Sequence, residues 1–229
     1  GLINGTTYSY YLKAAYSSGD SDPTATVTAT PNNLTSVVIG SGTGMTGSTT
    51  ASPVNIYYKS LHGQAVYTKA ELNAAGVYGP IDITQIGFYV NSVPSLALPG
   101  FTVRRKHTTA ANVSSWQTST GMVTVYTASS HMPTAGGYNM LNLATPFTWD
   151  GVNNIVIDTA FGLVSSYTST GTVQYSSVTS GYRYVRSDSA DQTSVFSGGS
   201  TSTYRPNVKL SFVAGTPTAP EIAVSPTSL

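Results

Sequence analysis

Short runs in which apolar and polar residues alternate recur along most of this 229-residue chain. In "NVKLSFV", the apolar residues Val208, Leu210 and Phe212 point to one face, and the polar residues between them point to the other. Such runs, rich in Val, Ile, Tyr and Thr and separated by clusters of Gly, Pro, Asn and Ser, are typical of β-strands. The pattern predicts strands at Ser36–Gly40, Val54–Ser60, Gln64–Tyr67, Ile83–Asn91, Thr102–Thr108, Val123–Ala128, Tyr138–Leu143, Asn154–Thr159, Thr172–Ser176, Tyr182–Arg186 and Asn207–Val213.

Two further patterns indicate how these strands are arranged. "NNIVID" is apolar at consecutive positions, as expected of a strand that is covered on both faces. In "TWDGVNN", Asp150 and Gly151 suit a tight turn with positive φ between two strands. The chain is therefore predicted to be all-β: a two-sheet antiparallel β-sandwich of jelly-roll type.

The helical signal is limited to one short segment, "YTKAELNAAG" from Tyr67 to Gly76. Thr68 is suited to the N-cap, Glu71 follows three residues later as in a capping box, and Gly76 can end the helix. We expect at most one helix, of about two turns.

The two ends of the chain differ from its centre. At the start, "TTYSYYLKAAY" and "TATVTATP" flank a turn-rich "SSGDSDP", which predicts a β-hairpin. "TATPNNL" and the Thr/Pro-rich start of the last segment have the composition of linkers. The division is a hairpin at 1–31, a sandwich at 34–213, and a linker with one strand at 214–229. Because an isolated hairpin is marginal in water, we expect it to dock on the sandwich or to pair with another subunit.

Each of these pieces resembles a known kind of domain. Residues 1–31 resemble the last two strands of a fibronectin type III domain, on an L-x-x-x-T-x-Y pattern in which Tyr8 is the corner tyrosine and Leu12 stands where Val is common. Residues 34–213 resemble a β-sandwich module of long secreted multidomain proteins from Bacteroidetes-like bacteria, on "QAVYTKAELNAAG", "ITQIGFYVNS", "SSW", "PFTWDGVNNIVID" and "YRPNVKLSF". "PEIAVSPTSL", at 220–229, resembles the first strand of an Ig-like repeat.

The resemblance implies a secreted or cell-surface location, with fibronectin III and Ig-like neighbours in the same parent chain. It also implies proximity to peptidase or glycosidase domains, but it transfers no catalytic residue to this sequence.

Composition narrows the function further. Charged residues make up only 8% of the chain, against about 25% in an average domain. Ten Lys and Arg residues with a net charge of +1 are too few for a nucleic-acid partner. The absence of Cys excludes disulfides, thiolate metal sites and a cysteine nucleophile. No apolar run approaches the ~18 residues that predict a membrane-spanning helix.

No catalytic motif stands out. His62, His107 and His131 lie in separate segments without metal-ligand spacing, so we expect surface or loop histidines. No pair of carboxylates suggests a glycosidase, and no G-x-S-x-G elbow is present. We therefore expect a protein that is not an enzyme and needs no cofactor, with calcium as the one exception to consider.

The exception rests on "SDSADQTS", which brings Asp188 and Asp191 together among Ser and Gln oxygens. Calcium prefers six to eight oxygen ligands, and backbone carbonyls can supply those that side chains do not. Asp188 and Asp191 are a candidate calcium site, and two solvated acids in an ordinary loop are the alternative.

Aromatic residues provide the best argument for binding, since the chain has 16 Tyr and two Trp. Sugar rings stack on such side chains through their apolar C–H faces. Tyr182 and Tyr184 alternate on one strand face, Trp116 lies in a polar loop, and one of the adjacent Tyr57 and Tyr58 should face outward. We select Trp116, Tyr182, Tyr184 and Tyr58 as candidate ligand-stacking residues. The alternative for each is packing in the core or on a strand face.

The sequence thus favours a non-catalytic extracellular binding or adhesion module that contacts polysaccharide or another surface polymer. A second hypothesis is a structural spacer or filament subunit that self-associates through terminal strands. A third is an accessory domain of a secreted peptidase or glycoside hydrolase.

Overall fold

The computed structural model of the chain describes residues 6–29 and 35–214. The chain divides into two compact units, of residues 1–34 and 35–229. The strand expected at 220–229 lies outside the described residues.

The first unit contains the predicted hairpin. Strands β1 (Tyr8–Tyr10) and β4 (Val27–Ala29) pair antiparallel, and β2 (Ala15–Tyr16) pairs with β3 (Gly19–Asp20) at the tip. Between these ladders, hydroxyl groups extend the pairing: the Thr24 hydroxyl accepts from the Leu12 amide at 3.0 Å. Two short ladders therefore make one long, narrow hairpin.

The second unit is the predicted antiparallel sandwich. Its elements are β5 (Ser36–Ile39), β6 (Gly44–Met45), β7 (Ser60–Tyr67), α1 (Lys69–Ala74), β8 (Ile81–Pro94), β9 (Leu98–Thr108), β10 (Val123–His131), β11 (Gly137–Trp149), β12 (Asn154–Phe161), β13 (Thr170–Ser187), β14 (Ser200–Pro206) and β15 (Val208–Ala214). The first sheet has the order β10-β9-β12-β7-β13, with β14 beside β13. The second sheet has β11 and β15 on either side of β8, with β5 beyond β15.

Strand β13 belongs to both sheets. Its first residues pair with β8, at Thr170–Val173, and its last residues pair with β7, from Arg183 onward. The strand changes register on β14 between Ser177 and Tyr182, near Ser180, whose φ is 50°. The sequence predicts two strands here, whereas the structure has one strand that crosses from sheet to sheet.

The core lies between the sheets and is built from the alternate positions that the sequence pattern predicts. In "NVKLSFV", Val208, Leu210 and Phe212 are all buried. The largest fully buried side chains are Trp149, Tyr67, Tyr182, Phe101, Phe147 and Phe161. The hydroxyl of Tyr67 donates to the Pro206 carbonyl at 2.7 Å, so this buried polar group is satisfied.

The strand predicted at Val54–Ser60 is wrong for most of its length. Residues 51–56 form a buried loop, and β7 begins only at Ser60. Val54 and Ile56 are buried as the alternation indicates, but Asn55 between them is buried too. Its amide donates to the carbonyls of Ser48 and Gly171, both at 3.0 Å. These side-chain hydrogen bonds satisfy backbone carbonyls that a strand would pair through its ladder.

The predicted helix is present as the six-residue α1, with a capping box between Thr68 and Glu71. Glu71 also pairs with the buried Arg205 of β14. Burial opposes ionisation of Glu71, but hydrogen bonds from Arg205 and Thr68 outweigh it and lower its pKa. Within residues 6–29 and 35–214, no helix has the length and hydrophobicity needed to cross a membrane.

Candidate functional site

A row of four polar residues crosses the outer face of the first sheet. The register places Arg104 of β9 opposite Asp158 of β12, Asp158 opposite Gln64 of β7, and Gln64 opposite Arg183 of β13. The four residues lie on four different strands, so only the strand pairing brings them together.

Asp158 is the centre of this row. Its Oδ1 accepts from Arg104 Nε at 2.6 Å, and its Oδ2 accepts from Gln64 Nε2 at 2.8 Å. His62, one position before Gly63 on β7, places Nε2 2.6 Å from the same Oδ2. We call His62, Gln64, Arg104 and Asp158 the buried polar network. Asp158, His62 and Gln64 are fully buried, so the carboxylate is stabilised by its hydrogen bonds rather than by water.

The second ring nitrogen of His62, Nδ1, lies 2.7 Å from the Val195 carbonyl, which can only accept. The expectation of a surface or loop histidine is wrong for His62, which lies buried in a central strand.

Two loops cover the buried polar network: residues 109–122 between β9 and β10, and residues 188–199 between β13 and β14. Gln64 exchanges two hydrogen bonds with the Gln117 backbone, and Arg104 Nη2 donates to the Thr193 carbonyl at 2.9 Å. The rings of Trp116 and Phe196 lie 4.8 and 4.6 Å from that of His62. The network therefore fastens both loops to the sheet.

Trp116, a predicted stacking residue, is partly exposed and joins these two loops. Its indole Nε1 donates to the Gly198 carbonyl at 2.9 Å, and Arg183 lies 5.5 Å over the ring. One role of Trp116 is therefore to hold the loops together over His62.

Tyr182 is wrong as a stacking residue, because it is only 1% exposed and lies in the core. Its ring lies over Gly63, where a Cβ would meet the Tyr182 hydroxyl oxygen at 2.1 Å. Burial raises the pKa of Tyr182 above its usual range. The alternation correctly places Tyr182 and Tyr184 on one face, but that face is turned toward the core, and only Tyr184 is partly exposed.

The structure does bring together the predicted residues Tyr58 and Tyr184. They line an open cleft of about 280 Å³ with Arg186, Gly199 and Ser200. The guanidinium of Arg186 lies 4.3 Å from the Tyr58 ring centroid and 5.2 Å from that of Tyr184. Its Nη1 donates to the Thr49 carbonyl at 2.9 Å, which fixes the arginine between the two rings.

Two more tyrosines extend this surface. The Tyr57 ring lies 5.5 Å from that of Tyr58 and 6.5 Å from that of Tyr167, whose hydroxyl donates to the Tyr57 carbonyl. We call Tyr57, Tyr58, Tyr167, Tyr184 and Arg186 the tyrosine surface. The sequence did not indicate Tyr167, because it lies in an irregular segment more than 100 residues from Tyr57.

The two acids of the candidate calcium site are both exposed. Asp188 accepts from the Lys59 amide at 3.3 Å, and Asp191 accepts from the amide and hydroxyl of Thr193 at 2.8 and 2.6 Å. In the described part of the chain, no three His, Cys, Asp or Glu residues come together as metal ligands do. Both acids accept hydrogen bonds from backbone amides, and calcium at this loop stays a prediction.

No family model, curated protein or solved structure matches this chain. Its functional interpretation therefore rests on the residues of the site itself.

Proposed function

We propose that this chain is a non-catalytic carbohydrate-binding domain that acts outside the cell and attaches its parent protein to a polysaccharide. The observation that carries the proposal is the tyrosine surface, in which Tyr58, Tyr184 and Arg186 line an open cleft and two further tyrosines lie beside it. Tyrosine rings offer an apolar face for the C–H side of a sugar and a hydroxyl for its polar edge.

The shape of the cleft favours an extended polymer. At about 280 Å³ it is slightly smaller than the usual ligand pocket, and it is open to solvent. A cleft of this size accommodates a short part of a chain, while Tyr57 and Tyr167 provide further contacts beside it. Affinity then comes from several sugar units in a row.

The charge of the surface favours a neutral polysaccharide. Its one ionic side chain, Arg186, lies against the rings of Tyr58 and Tyr184 and donates a hydrogen bond to the Thr49 carbonyl. Arg186 therefore attracts a polyanion only weakly. The net charge of +1 over the whole chain agrees with this preference.

Retention on insoluble polysaccharides tests the proposal, with cellulose, chitin, xylan and mixed-linkage glucan as the panel. We expect retention on at least one polymer and a loss of about tenfold or more in affinity for Tyr58→Ala, which corresponds to roughly 1.4 kcal/mol. Tyr78→Ala is the matched control, because Tyr78 is 73% exposed and lies outside the tyrosine surface.

Thermal unfolding of both variants shows whether Tyr58→Ala remains folded. A normally folded Tyr58→Ala that binds as well as Tyr78→Ala would contradict the assignment of the surface. Absence of retention on all four polymers would contradict the proposal itself.

One observation favours the spacer or filament hypothesis. In the described part of the first unit, Leu12, Tyr16 and Val27 are each more than 60% exposed, on a hairpin made of two short two-stranded ladders. Unpaired strand edges with apolar side chains are sites where chains associate. Self-association and polysaccharide binding are compatible, since they involve different units.

A further inference from the structure

A second open cleft, of about 420 Å³, lies beside the buried polar network. We call it the second cleft. Its walls are β9 near residues 99–104, residues 162–163 after β12, and residues 191–194 of the loop that covers His62.

Arg104 contributes a fixed hydrogen-bond donor to the second cleft. Its Nε is bound to Asp158 and its Nη2 to the Thr193 carbonyl, and Phe196 lies against the guanidinium at 5.2 Å. Nη1 makes no hydrogen bond within the described residues. With 16% of the side chain exposed in the cleft wall, this nitrogen is the part of Arg104 that is available to a ligand.

Asp191 contributes a fixed acceptor. Both hydrogen bonds from Thr193 go to Oδ1, which leaves Oδ2 without a partner in the described residues. A Cβ at position 162 would lie 3.2 Å from Oδ2, so the absence of a side chain at Gly162 keeps space beside this oxygen. The carboxylate is therefore oriented by the loop and retains one free oxygen.

Arg104 and Asp191 line the same cleft, yet among the described residues they form no ion pair with each other. The wall of the cleft therefore carries one cationic donor, Arg104, and one anionic acceptor, Asp191. A cleft of this kind suits an uncharged ligand that both donates and accepts hydrogen bonds. Two neighbouring sugar hydroxyls meet this requirement: one donates to Asp191 and the other accepts from Arg104.

We infer that the second cleft is a sugar subsite that binds neighbouring hydroxyls of a neutral saccharide through Arg104 and Asp191. Leu163, which is 43% exposed, and Pro99 offer apolar contacts for the sugar ring. This inference rests on the proposed function and extends it to soluble oligosaccharides.

An NMR titration of the ¹⁵N-labelled full chain tests the inference. Cellobiose, maltose, xylobiose and chitobiose serve as sugar probes, glycine as a zwitterion and acetate as an anion. The amides of Gly100, Gly162 and Ser194 report on the second cleft, and those of Val185, Gly199 and Ser200 report on the tyrosine surface. We expect one or more of the sugars to shift the amide signals of Gly100, Gly162 and Ser194. Glycine and acetate should leave these signals unchanged.

Asp191→Asn should weaken sugar binding at the second cleft by about tenfold or more, because a charged acceptor is lost while the shape is kept. Asp188→Asn is the matched control: it is an exposed acid of the same loop that does not line the cleft. Equal affinity of the two variants would overturn the inference.

The remaining outcomes separate this inference from the proposed function. If the sugars shift only the amide signals of Val185, Gly199 and Ser200, the inference is overturned and the tyrosine surface is the binding site. Shifts by glycine or acetate without sugars would overturn it in favour of a charged ligand. Sugar shifts that depend on Asp191, together with no retention on insoluble polymers, would support the second cleft and reject the proposed polymer site. No shift with any sugar would overturn the inference.

Discussion

The carboxylate of Asp158 lies beneath two loops, accepts hydrogen bonds from Arg104 and Gln64, and has His62 Nε2 2.6 Å from its Oδ2. A buried charge of this kind contributes most when all of its partners are present, since the loss of one partner leaves another charge buried and unpaired.

Asp158→Ala should therefore lower the free energy of unfolding by about 3–5 kcal/mol, because Arg104 loses its buried counter-ion. Urea denaturation followed by tryptophan fluorescence measures the change. Asp188→Ala, at an exposed acid, is the control and should stay within about 0.5 kcal/mol of the unmodified protein. Equal losses for the two variants would mean that the buried polar network adds no stability.

Gly63 is the second position where a single residue decides the packing. A Cβ there would lie 2.1 Å from the Tyr182 hydroxyl oxygen and 2.3 Å from the ring carbon that carries it. The absence of a side chain at Gly63 is what allows the Tyr182 ring to approach β7 this closely.

Gly63→Ala should destabilise the protein by about 1–3 kcal/mol, the usual cost of inserting a methyl group into a packed core. The control is Gly137→Ala, also on a strand, where a Cβ would meet nothing within 4 Å. Urea midpoints of the two variants give the comparison. A loss at Gly63 no larger than that at Gly137 would show that the Tyr182 ring moves aside without cost.

Among the elements, α1 is attached to the sandwich through Glu71, which binds Thr68 in its own capping box and Arg205 on β14. The pKa of Glu71 in the folded protein is below its ordinary value of 4.5. Because the pKa is lower in the folded protein than in the unfolded chain, the ionised carboxylate stabilises the fold at every pH above the unfolded-state pKa. This stabilisation is lost as the pH falls through the folded-state pKa.

Glu71→Gln should therefore be less stable than the unmodified protein at pH 7, by an amount that is constant down to about pH 5 and shrinks below about pH 4.5. Urea denaturation at a series of pH values measures this difference. A gap that stays the same from pH 7 to pH 3 would show that the charge of Glu71 is not what stabilises α1.

The sequence predicts some of these elements correctly and others not. "NVKLSFV" is predicted correctly because alternation alone defines which face of a strand is buried. The single strand β13 is not predicted, because alternation does not reveal which strands pair. The loop at 51–56 is not predicted either, because alternation does not reveal that a side chain, here that of Asn55, forms the hydrogen bonds of a buried segment.

The buried polar network was missed for a related reason. His62 and Asp158 are separated by 96 residues, and the sequence pattern does not reveal that their strands, β7 and β12, pair. Tyr58 and Tyr184 were identified by residue type, but Tyr182 shows that residue type does not reveal which tyrosine of an alternating pair is buried.

At the scale of the whole molecule, the described part of the hairpin unit consists of two short ladders, which leave its apolar residues exposed. Leu12 and Val27 are 64% and 63% exposed. A hydrophobic surface on a two-stranded sheet is stabilised when another chain covers it.

We expect the full chain to self-associate as its concentration rises, and the double variant Leu12→Ser/Val27→Ser to do so less. Sedimentation velocity between about 5 and 200 μM, a range in which weak protein contacts form, measures the change. Leu163→Ser, at an exposed apolar residue of the sandwich, is the control. Identical sedimentation of all three proteins would contradict a role for the hairpin in assembly.

The pairing of β5 with β15 has a mechanical consequence. The two strands are antiparallel, with Ser36 opposite Ser211, and the Phe212 amide donates to the Thr35 carbonyl at 2.9 Å. The chain thus enters β5 and leaves β15 at the same end of the pair. Tension applied at these two points would load the hydrogen bonds of the ladder one after another, as in opening a zipper, rather than all at once. Under a pulling force, β5 would peel away first, and the protein would lengthen before its central strands separate.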